Sequence, residues 1–162
     1  MTHASTQEVK PGRHAWWQEV GDFWHQPAST TGKNHRPGQT QGDHAYGVFR
    51  LAVLHWRRCP WKAVRKNWKI KRSFLRAALF HDVGKKDDRY NHDVASYVWL
   101  MHHGDPLAGY FALCHMGRWG SVEVKDILNM PIICDLHAQA PFRWLAGALQ
   151  VCDYTDAICF DI

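Results

Sequence analysis

Two acidic residues, Asp82 and Asp153, stand in segments that are otherwise apolar. Asp82 follows His81 at the end of the run LRAALFHD, and Asp153 lies within LAGALQVCDYTDAICF. An ionised carboxylate in apolar surroundings is unfavourable unless a metal ion, an arginine or a dense set of hydrogen bonds compensates it. Because the chain has 12 histidines, we expect Asp82, Asp153 and His81 to share one metal ion. Imidazole and carboxylate ligands together favour Mn, Fe, Co, Ni or Zn over Ca, and Mg is a further candidate.

Helical spacing limits which other histidines can join this ion. His44 and His55 share one face of a predicted helix but lie about 16 Å apart along its axis, so only one of them can be a ligand. The same separation excludes joint ligation by His92 and His103. His55, His102 and His103 are expected to be structural or at the surface. The histidines expected at the surface are His3, His14, His25, His35 and His137.

The elements that must position these residues are predicted to be helices, so the predicted fold class is all-α, as a compact bundle in one domain. Apolar residues recur at helical spacing in the segments 14–24, 44–56, 61–68, 71–84, 92–104, 106–117 and 142–160. Asp43 is predicted to cap the helix that begins with His44. Residues 27–43 are predicted to form a long loop, and residues 118–141 are predicted to be irregular.

Charge is strongly segregated along the chain. Residues 44–86 contain 12 Lys/Arg and one acidic residue, a net charge of +11, whereas residues 87–162 carry −6. Such a block favours an anionic partner, and phosphate is the obvious class.

Within this basic block, residues 57–76 hold nine Lys/Arg, no acid, and Trp61 and Trp68. One interpretation is a surface that binds single-stranded nucleic acid through phosphate contacts and base stacking. The other is a solvated segment anchored to the core by its tryptophans. The candidate substrate-binding side chains in this segment are Arg65, Lys66 and Lys69.

The composition also indicates the compartment. No apolar run approaches the roughly 18 residues that a membrane span needs, so no membrane partner is expected. The five cysteines are an odd number and lack the spacing of a metal knuckle. They are typical of reduced thiols, and a cytoplasmic location is expected.

Three segments resemble the HD-domain superfamily of metal-dependent phosphohydrolases, whose signature is H…HD…D on an α-helical bundle. The segment AALFHDVGK at 77–85 is similar to the family's central motif, HAYGVFRLA at His44 to its first helix, and CDYTDA at 152–157 to its last. The resemblance implies an HD-domain bundle over residues 44–162, preceded by an N-terminal extension over residues 1–43. The ligands it implies for a first metal are His44, His81, Asp82 and Asp153. Asp156, one helical turn further, either supports a ligand or faces solvent.

Two more histidines resemble the ligands of a second metal in HD proteins. HDVASY at His92 resembles the HxxxSA helix of such members. CHMGRWG, with His115, is similar to an element of HD nucleases and of bacterial 3′–5′ exoribonucleases. His92 and His115 are therefore expected to complete a site for one or two ions.

The reaction implied by this ligand set is hydrolysis of a phosphoester. A bound cation lowers the pKa of a water molecule and takes up charge from the phosphoryl oxygens. Asp82 is expected to orient the attacking water as well as to bind metal. Lys85 and Arg118 are expected to contact phosphoryl oxygens as catalytic and substrate-binding residues.

We expect the substrate to be a nucleotide of the dNTP or NMP type, because the chain is a single small domain. The alternative is an HD nuclease that cleaves single-stranded DNA or RNA, favoured by the basic segment and by CHMGRWG. Two other classes stay open: a di-iron oxygenase, which the same ligands allow, and a nucleic-acid binder without catalysis. The oligomeric state is not predicted.

Overall fold

The computed structural model describes residues 13–29 and 38–159. Within these residues the α-helices are α1 (Arg13–Val20), α2 (Gln41–Arg57), α3 (Lys62–Arg65), α4 (Trp68–Phe80), α5 (His92–His102), α6 (Pro106–Cys114), α7 (Val122–Leu128), α8 (Pro131–His137) and α9 (Ala140–Cys159). Short 3₁₀ helices span Gly21–His25 and Val83–Lys86. The described residues form no β-strand, only an isolated bridge between Pro27 and Thr40. The predicted all-α fold class is therefore confirmed.

The core is built from apolar faces of the longer helices. α2 packs against α4 and α9, α4 packs against α6, and α6 packs against α5 and α9. α4 contributes Phe74, Ala77 and Ala78, which are buried and recur at the i, i+3, i+4 spacing of one helix face. The side chain of Asn67 caps this helix by accepting hydrogen bonds from the amides of Lys69 and Ile70. α4 thus ends in the interior of the protein, at His81.

The predicted N-terminal extension, residues 1–43, lies partly outside the described residues. Its described part does not stand apart from the bundle, because Trp16, Val20, Phe23 and Trp24 are buried in the same core. The predicted helix at 14–24 is present as α1 and the 3₁₀ turn that follows it.

Two local predictions are wrong. Asp43 is not the N-cap of α2: Thr40 is, and its side chain accepts from the Asp43 amide while the Asp43 carboxylate accepts from the Thr40 amide. This reciprocal pair is a capping box. Residues 118–141 are not irregular, because they contain α7 and α8, which bury Val124 and Ile133 respectively.

A close approach at Gly84 joins the end of α4 to α5. The Gly84 amide donates to Ser96 Oγ at 2.8 Å. A Cβ at this position would overlap the carbonyl oxygen of His92, so only glycine fits without displacement of α5. This contact draws Asp82, two residues earlier, against the first turn of α5. None of the described helices is long and apolar enough to cross a membrane.

Candidate metal centre

Helix ends bring the predicted ligands together. His44 lies in the first turn of α2, His81 directly follows α4, His92 is the first residue of α5, and His115 directly follows α6. Asp153 projects from α9 toward the same place. These chain positions are far apart in sequence, so the bundle packing alone produces the cluster.

One group consists of His44, His81, Asp82 and Asp153. The Nε2 atom of His44 lies 2.8 Å from Asp153 Oδ1 and 3.6 Å from Asp82 Oδ2. The Nε2 atom of His81 lies 3.4 Å from Asp153 Oδ1 and 3.6 Å from Asp82 Oδ2. Atoms bound to one ion at about 2.0–2.2 Å are separated by distances of this size. The group can therefore hold a metal ion.

A further group consists of Asp82, His92 and His115. The Nε2 atom of His92 lies 3.1 Å from Asp82 Oδ1, and that of His115 lies 3.5 Å from the same oxygen. Asp82 thus faces one group with Oδ2 and the other with Oδ1. A carboxylate shared in this way could bridge two ions. All six residues that the sequence indicates as ligands lie in this one cluster.

Hydrogen bonds orient the imidazole rings toward the cluster. The Nδ1 atoms of His81, His92 and His115 each lie 2.5–2.9 Å from the backbone carbonyl oxygen three residues earlier, that of Ala78, Arg89 or Ala112. A carbonyl oxygen only accepts, so Nδ1 carries the hydrogen in all three rings. In the neutral ring the Nε2 lone pair then faces inward, as a metal ligand requires.

Two further observations on the histidine nitrogens agree with a cation site between these residues. The buried Nε2 atom of His115 makes no hydrogen bond to the described residues. The Nε2 atoms of His44 and His81 lie 3.3 Å apart. Ring nitrogens this close together can both donate a lone pair to one cation. The donor set therefore fits a divalent metal ion.

Asp156 supports His44 from the outer side. Its Oδ2 atom lies 2.6 Å from His44 Nδ1 and accepts from Gln39 Nε2 at 2.9 Å. A carboxylate on the far nitrogen of a ligating histidine fixes the ring and strengthens its donor atom. From the sequence, Asp156 was expected either to support a ligand in this way or to face solvent. Gln39 was not indicated by any pattern.

The cluster keeps its carboxylates ionised. Burial opposes ionisation of Asp82, but the charges of Lys85 and His81, together with the contacts to His115 and His92, outweigh it and hold its pKa well below the ordinary value. Burial is likewise outweighed at Asp153, where the close contacts of its carboxylate with His44 and His81 lower the pKa. For His44, burial lowers the pKa, but the hydrogen bonds to Asp153 and Asp156 raise it to about 9 overall. Without a metal ion, His44 therefore holds a proton at neutral pH.

A cavity of about 640 Å³ opens beside the cluster. Asp153, whose side chain is 27% exposed, lies on its wall together with Asp82, His92 and His115. Lys85 also lines it, and its Nζ atom bonds Asp82 Oδ2 at 2.5 Å. Among the lining residues that the sequence did not single out, four have large polar or aromatic side chains, and the only available signal was their position beside the motifs. These residues are Arg89, Tyr90, Gln150 and Tyr154.

Arg118, which the sequence predicts to contact phosphate, is paired with an acidic residue in the structure. Its guanidinium bonds both carboxylate oxygens of the buried Asp93, at 2.6 and 3.0 Å, and the Asn91 side chain at 3.1 Å. It does not line the cavity. Arg118 instead neutralises Asp93 and braces the start of α5, next to His92. The sequence could not show this pairing because nothing in it brings residue 93 to residue 118.

The basic segment also lies apart from the cavity. Lys66, Trp68 and Lys69 line a separate hollow of about 440 Å³, and Trp68 is about 18 Å from the far end of α4 along the helix axis. Arg65 bonds the Cys59 carbonyl at 2.8 Å. None of the three predicted substrate-binding side chains in this segment, Arg65, Lys66 and Lys69, lines the cavity at the cluster.

The other histidines have separate roles. His103 bonds the Trp99 carbonyl and Glu19, which agrees with a structural role. His137 was expected at the surface but is half-buried, 3.0 Å from the hydroxyl of Tyr110. His3 and His35 lie outside the described residues.

The sequence matches no protein-family model, no curated protein and no solved structure.

Proposed function

We propose that this protein is a metal-dependent phosphohydrolase of the HD type that cleaves a phosphoester of a nucleotide. The observation that carries the proposal is the position of Asp82. Its Oδ2 atom faces His44 and His81, and its Oδ1 atom faces His92 and His115. A buried carboxylate surrounded by four imidazole groups suits divalent ions far better than it suits a folded core.

The cluster would hold one or two ions of Mn, Fe, Co, Ni, Zn or Mg. A cation bound there supplies an acidified water and takes up negative charge from the phosphoryl group. In the hydrolysis the water oxygen adds to phosphorus, the ester P–O bond breaks, and the released hydroxyl takes up a proton. Asp82 and Asp153 carry the negative charge that retains the cation, and Asp82 is the candidate for orienting the water.

Lys85 and Arg89 are the cationic side chains of the described cavity wall. Lys85 is bonded to Asp82 Oδ2, an oxygen that a metal ion would also bind. Competition for this oxygen would free the Lys85 ammonium for a phosphoryl oxygen. Arg89 is exposed at the wall and can pair with a phosphate through its planar fork. Both residues support an anionic phosphoester substrate.

A second candidate function is cleavage of single-stranded nucleic acid. The exposed Trp68, with Arg72 4.8 Å and Lys69 5.9 Å from its ring centroid, favours it. An aromatic ring among cations is a platform for a base with phosphates on either side. Since this platform is about 18 Å from the end of α4, a strand of several nucleotides would have to span both sites. We place the nucleotide first because the cavity at the cluster is lined by its own cations.

The test is a hydrolysis screen with metal-depleted protein, to which each candidate ion is returned in turn. The substrates are dNTPs, nucleoside monophosphates, cyclic nucleotides and labelled single strands. We expect a nucleotide to be hydrolysed only with metal, and Asp82→Asn to abolish the activity. Asp87→Asn, an exposed carboxylate close in sequence, is the matched control and should keep it. Metal binding without hydrolysis of any phosphoester would overturn the proposal.

A cytoplasmic location remains part of the proposal. It is supported by the described cysteines Cys59, Cys114, Cys134 and Cys152, all of which are free thiols. Burial raises the pKa of the Cys152 thiol to about 12, so this residue is protected from oxidation by its low thiolate content.

A further inference from the structure

One face of α9 forms a wall of the cavity beside the metal cluster. The residues on it recur at i, i+3, i+4, i+7 and i+8, the spacing of a single helical stripe: Gln150, Asp153, Tyr154, Ala157 and Ile158. Asp153 belongs to the cluster. Tyr154 and Ile158 continue the wall outward, and Ile158 lies about 7.5 Å beyond Asp153 along the axis.

This outer wall is apolar and exposed. Tyr154 is 67% exposed and Ile158 is also exposed. From another side of the same cavity, Tyr90 presents a ring that is 88% exposed. Tyr90 directly follows Arg89 and precedes His92 by two residues. Two exposed aromatic rings therefore border an opening whose floor is formed by charged and metal-binding groups.

We propose that Tyr90 and Tyr154 hold the base of a nucleoside monophosphate whose phosphate lies at the metal cluster. This inference rests on the proposed function. A ligand that fits the cavity needs an anionic end, which faces Lys85 and Arg89, and a flat apolar end, which faces the tyrosines. Both ends belong to the wall of one cavity. A nucleoside monophosphate has this arrangement, and a sugar phosphate lacks the flat end.

Size agrees with this assignment. The cavity volume of about 640 Å³ is within the range of about 300–1,000 Å³ that small-molecule sites have. Stacking of a base on an aromatic side chain does not depend strongly on which base is present. We therefore expect broad acceptance of the four common bases, with the tyrosines selecting nucleotides over other phosphoesters.

The experiment compares two substrates that carry the same phosphoester: nucleoside 5′-monophosphates and ribose 5-phosphate. Tyr154→Ala and Tyr90→Ala should each lower kcat/KM for the nucleotides by about tenfold, as loss of one stacked base predicts. Both should leave hydrolysis of ribose 5-phosphate unchanged. The ring-retaining variants Tyr154→Phe and Tyr90→Phe should resemble the wild type. Tyr46→Ala is the matched control, because Tyr46 is 58% exposed on α2 and does not line this cavity.

Equal losses for both substrates, or no loss for either, would overturn the base site. Failure of the proposed function is a separate outcome, in which wild-type protein hydrolyses neither substrate. In that case calorimetric titration with adenosine 5′-monophosphate still decides the inference. Binding that Tyr154→Ala and Tyr90→Ala weaken supports it, and the absence of binding, or binding that neither variant changes, refutes it.

Discussion

Asp156 bonds the outer nitrogen of His44, with Oδ2 and Nδ1 2.6 Å apart. The same His44 ring presents Nε2 to Asp153, 2.8 Å away and one helical turn earlier on α9. One histidine from α2 is thus held between two carboxylates from one face of α9. Gly47, on the next turn of α2, leaves the space for this arrangement, since a Cβ there would overlap Asp156 Oδ1.

Loss of the Asp156 contact should weaken metal binding while the ligands themselves stay intact. We expect Asp156→Ala to lower metal affinity by about 10–100-fold, the range known for partners of ligating histidines. Gly47→Ala should act in the same direction, because its methyl group displaces the Asp156 carboxylate. Titration with a metal chelator of known affinity measures both effects. Asp135→Ala, an exposed carboxylate on α8, is the control, and equal affinity in all of these proteins would contradict the role of Asp156.

Metal removal should lower thermal stability. Ions that bind only the folded state raise the melting temperature, and four imidazole groups and two carboxylates lose their common partner when the ion leaves. We expect chelator treatment to lower Tm by several degrees, roughly 5 °C, in the wild-type protein. Asp82→Ala should abolish this response because Asp82 faces both groups. Scanning calorimetry with and without metal tests this, and an unchanged Tm together with no metal in the purified protein would contradict it.

The number of ions should depend on His115. Since His92 and His115 face only the Oδ1 side of Asp82, we expect His115→Ala to reduce the metal content from two ions toward one. Elemental analysis of the purified protein provides the measurement. His102→Ala, which removes an exposed histidine at the end of α5, should keep two ions. A wild-type content of one ion, unchanged in His115→Ala, would show that only the His44 group binds metal.

The approach of Asp82 and Asp153 to each other was predictable because the two carboxylates violate the usual segregation of charge from the core, whereas His44, His92 and His115 were assigned through the family resemblance. Asp82 and Asp153 stand out within apolar helical runs, and only a polar partner or a cation explains them. The pairing of Arg118 was not predictable in this way, because an arginine near a predicted phosphate site is assigned to that phosphate. Asp93, the partner of Arg118, is as buried as Asp82. A pairing between segments that are distant in sequence leaves no periodic signal, so the sequence alone did not reveal it.

Short helices were the other weak point. α7 and α8 span seven residues each, about two turns, so their apolar periodicity is hardly visible. The available signals were local. Ser121 caps α7 by accepting from the Val124 amide, and Pro131 is in the first turn of α8. The residue types of Thr40 and Asp43 likewise indicate a capping box. The sequence analysis instead assigned the cap to Asp43, which moved the predicted start of α2 from Gln41 to His44.

The pH dependence of the metal-free protein should reveal the proton on His44. Its pKa in the folded protein is about 9, above its ordinary value of 6.5. A raised pKa of this kind stabilises the fold fully below pH 6.5, and the contribution is lost as the pH rises through 9. It amounts to on the order of 3 kcal/mol. We expect the unfolding free energy of chelator-treated protein to fall over this range, as measured by urea titration.

His44→Gln is the control for this pH effect, because its stability should change less between pH 6.5 and pH 9. Asp82 and Asp153 do not interfere, since lowered pKa values keep both carboxylates ionised throughout this range. Metal affinity should rise over the same range, because the ion must displace the His44 proton. A flat stability profile in the wild-type protein would show that His44 carries no proton in the absence of metal.

The basic segment should be dispensable if the substrate is a nucleotide. We expect charge reversal at four exposed lysines around α3 and the start of α4 to leave kcat/KM for nucleotides within about twofold, since the cluster end of α4 lies about 18 Å from Trp68 along the helix axis. The lysines to be changed are Lys62, Lys66, Lys69 and Lys71. Arg65 is left in place because it bonds the Cys59 carbonyl. Lys85→Ala should lower the same kcat/KM by about 100-fold, as loss of a charged contact to the phosphoryl group does.

A nuclease would show the reverse pattern. Its affinity for single strands would fall with salt at a log–log slope of about −0.7 for each phosphate contacted. Charge reversal of the four lysines would then flatten the slope and abolish strand cleavage, and Trp68→Ala would remove a stacked base. Kinetics on nucleotides and on a labelled 12-nucleotide strand at several salt concentrations separate the two functions. The four lysines lie before α4 or in its first turn, whereas Lys85 follows its other end. Strand cleavage lost on charge reversal, without any nucleotide turnover, would therefore replace the nucleotide hydrolase by the nuclease.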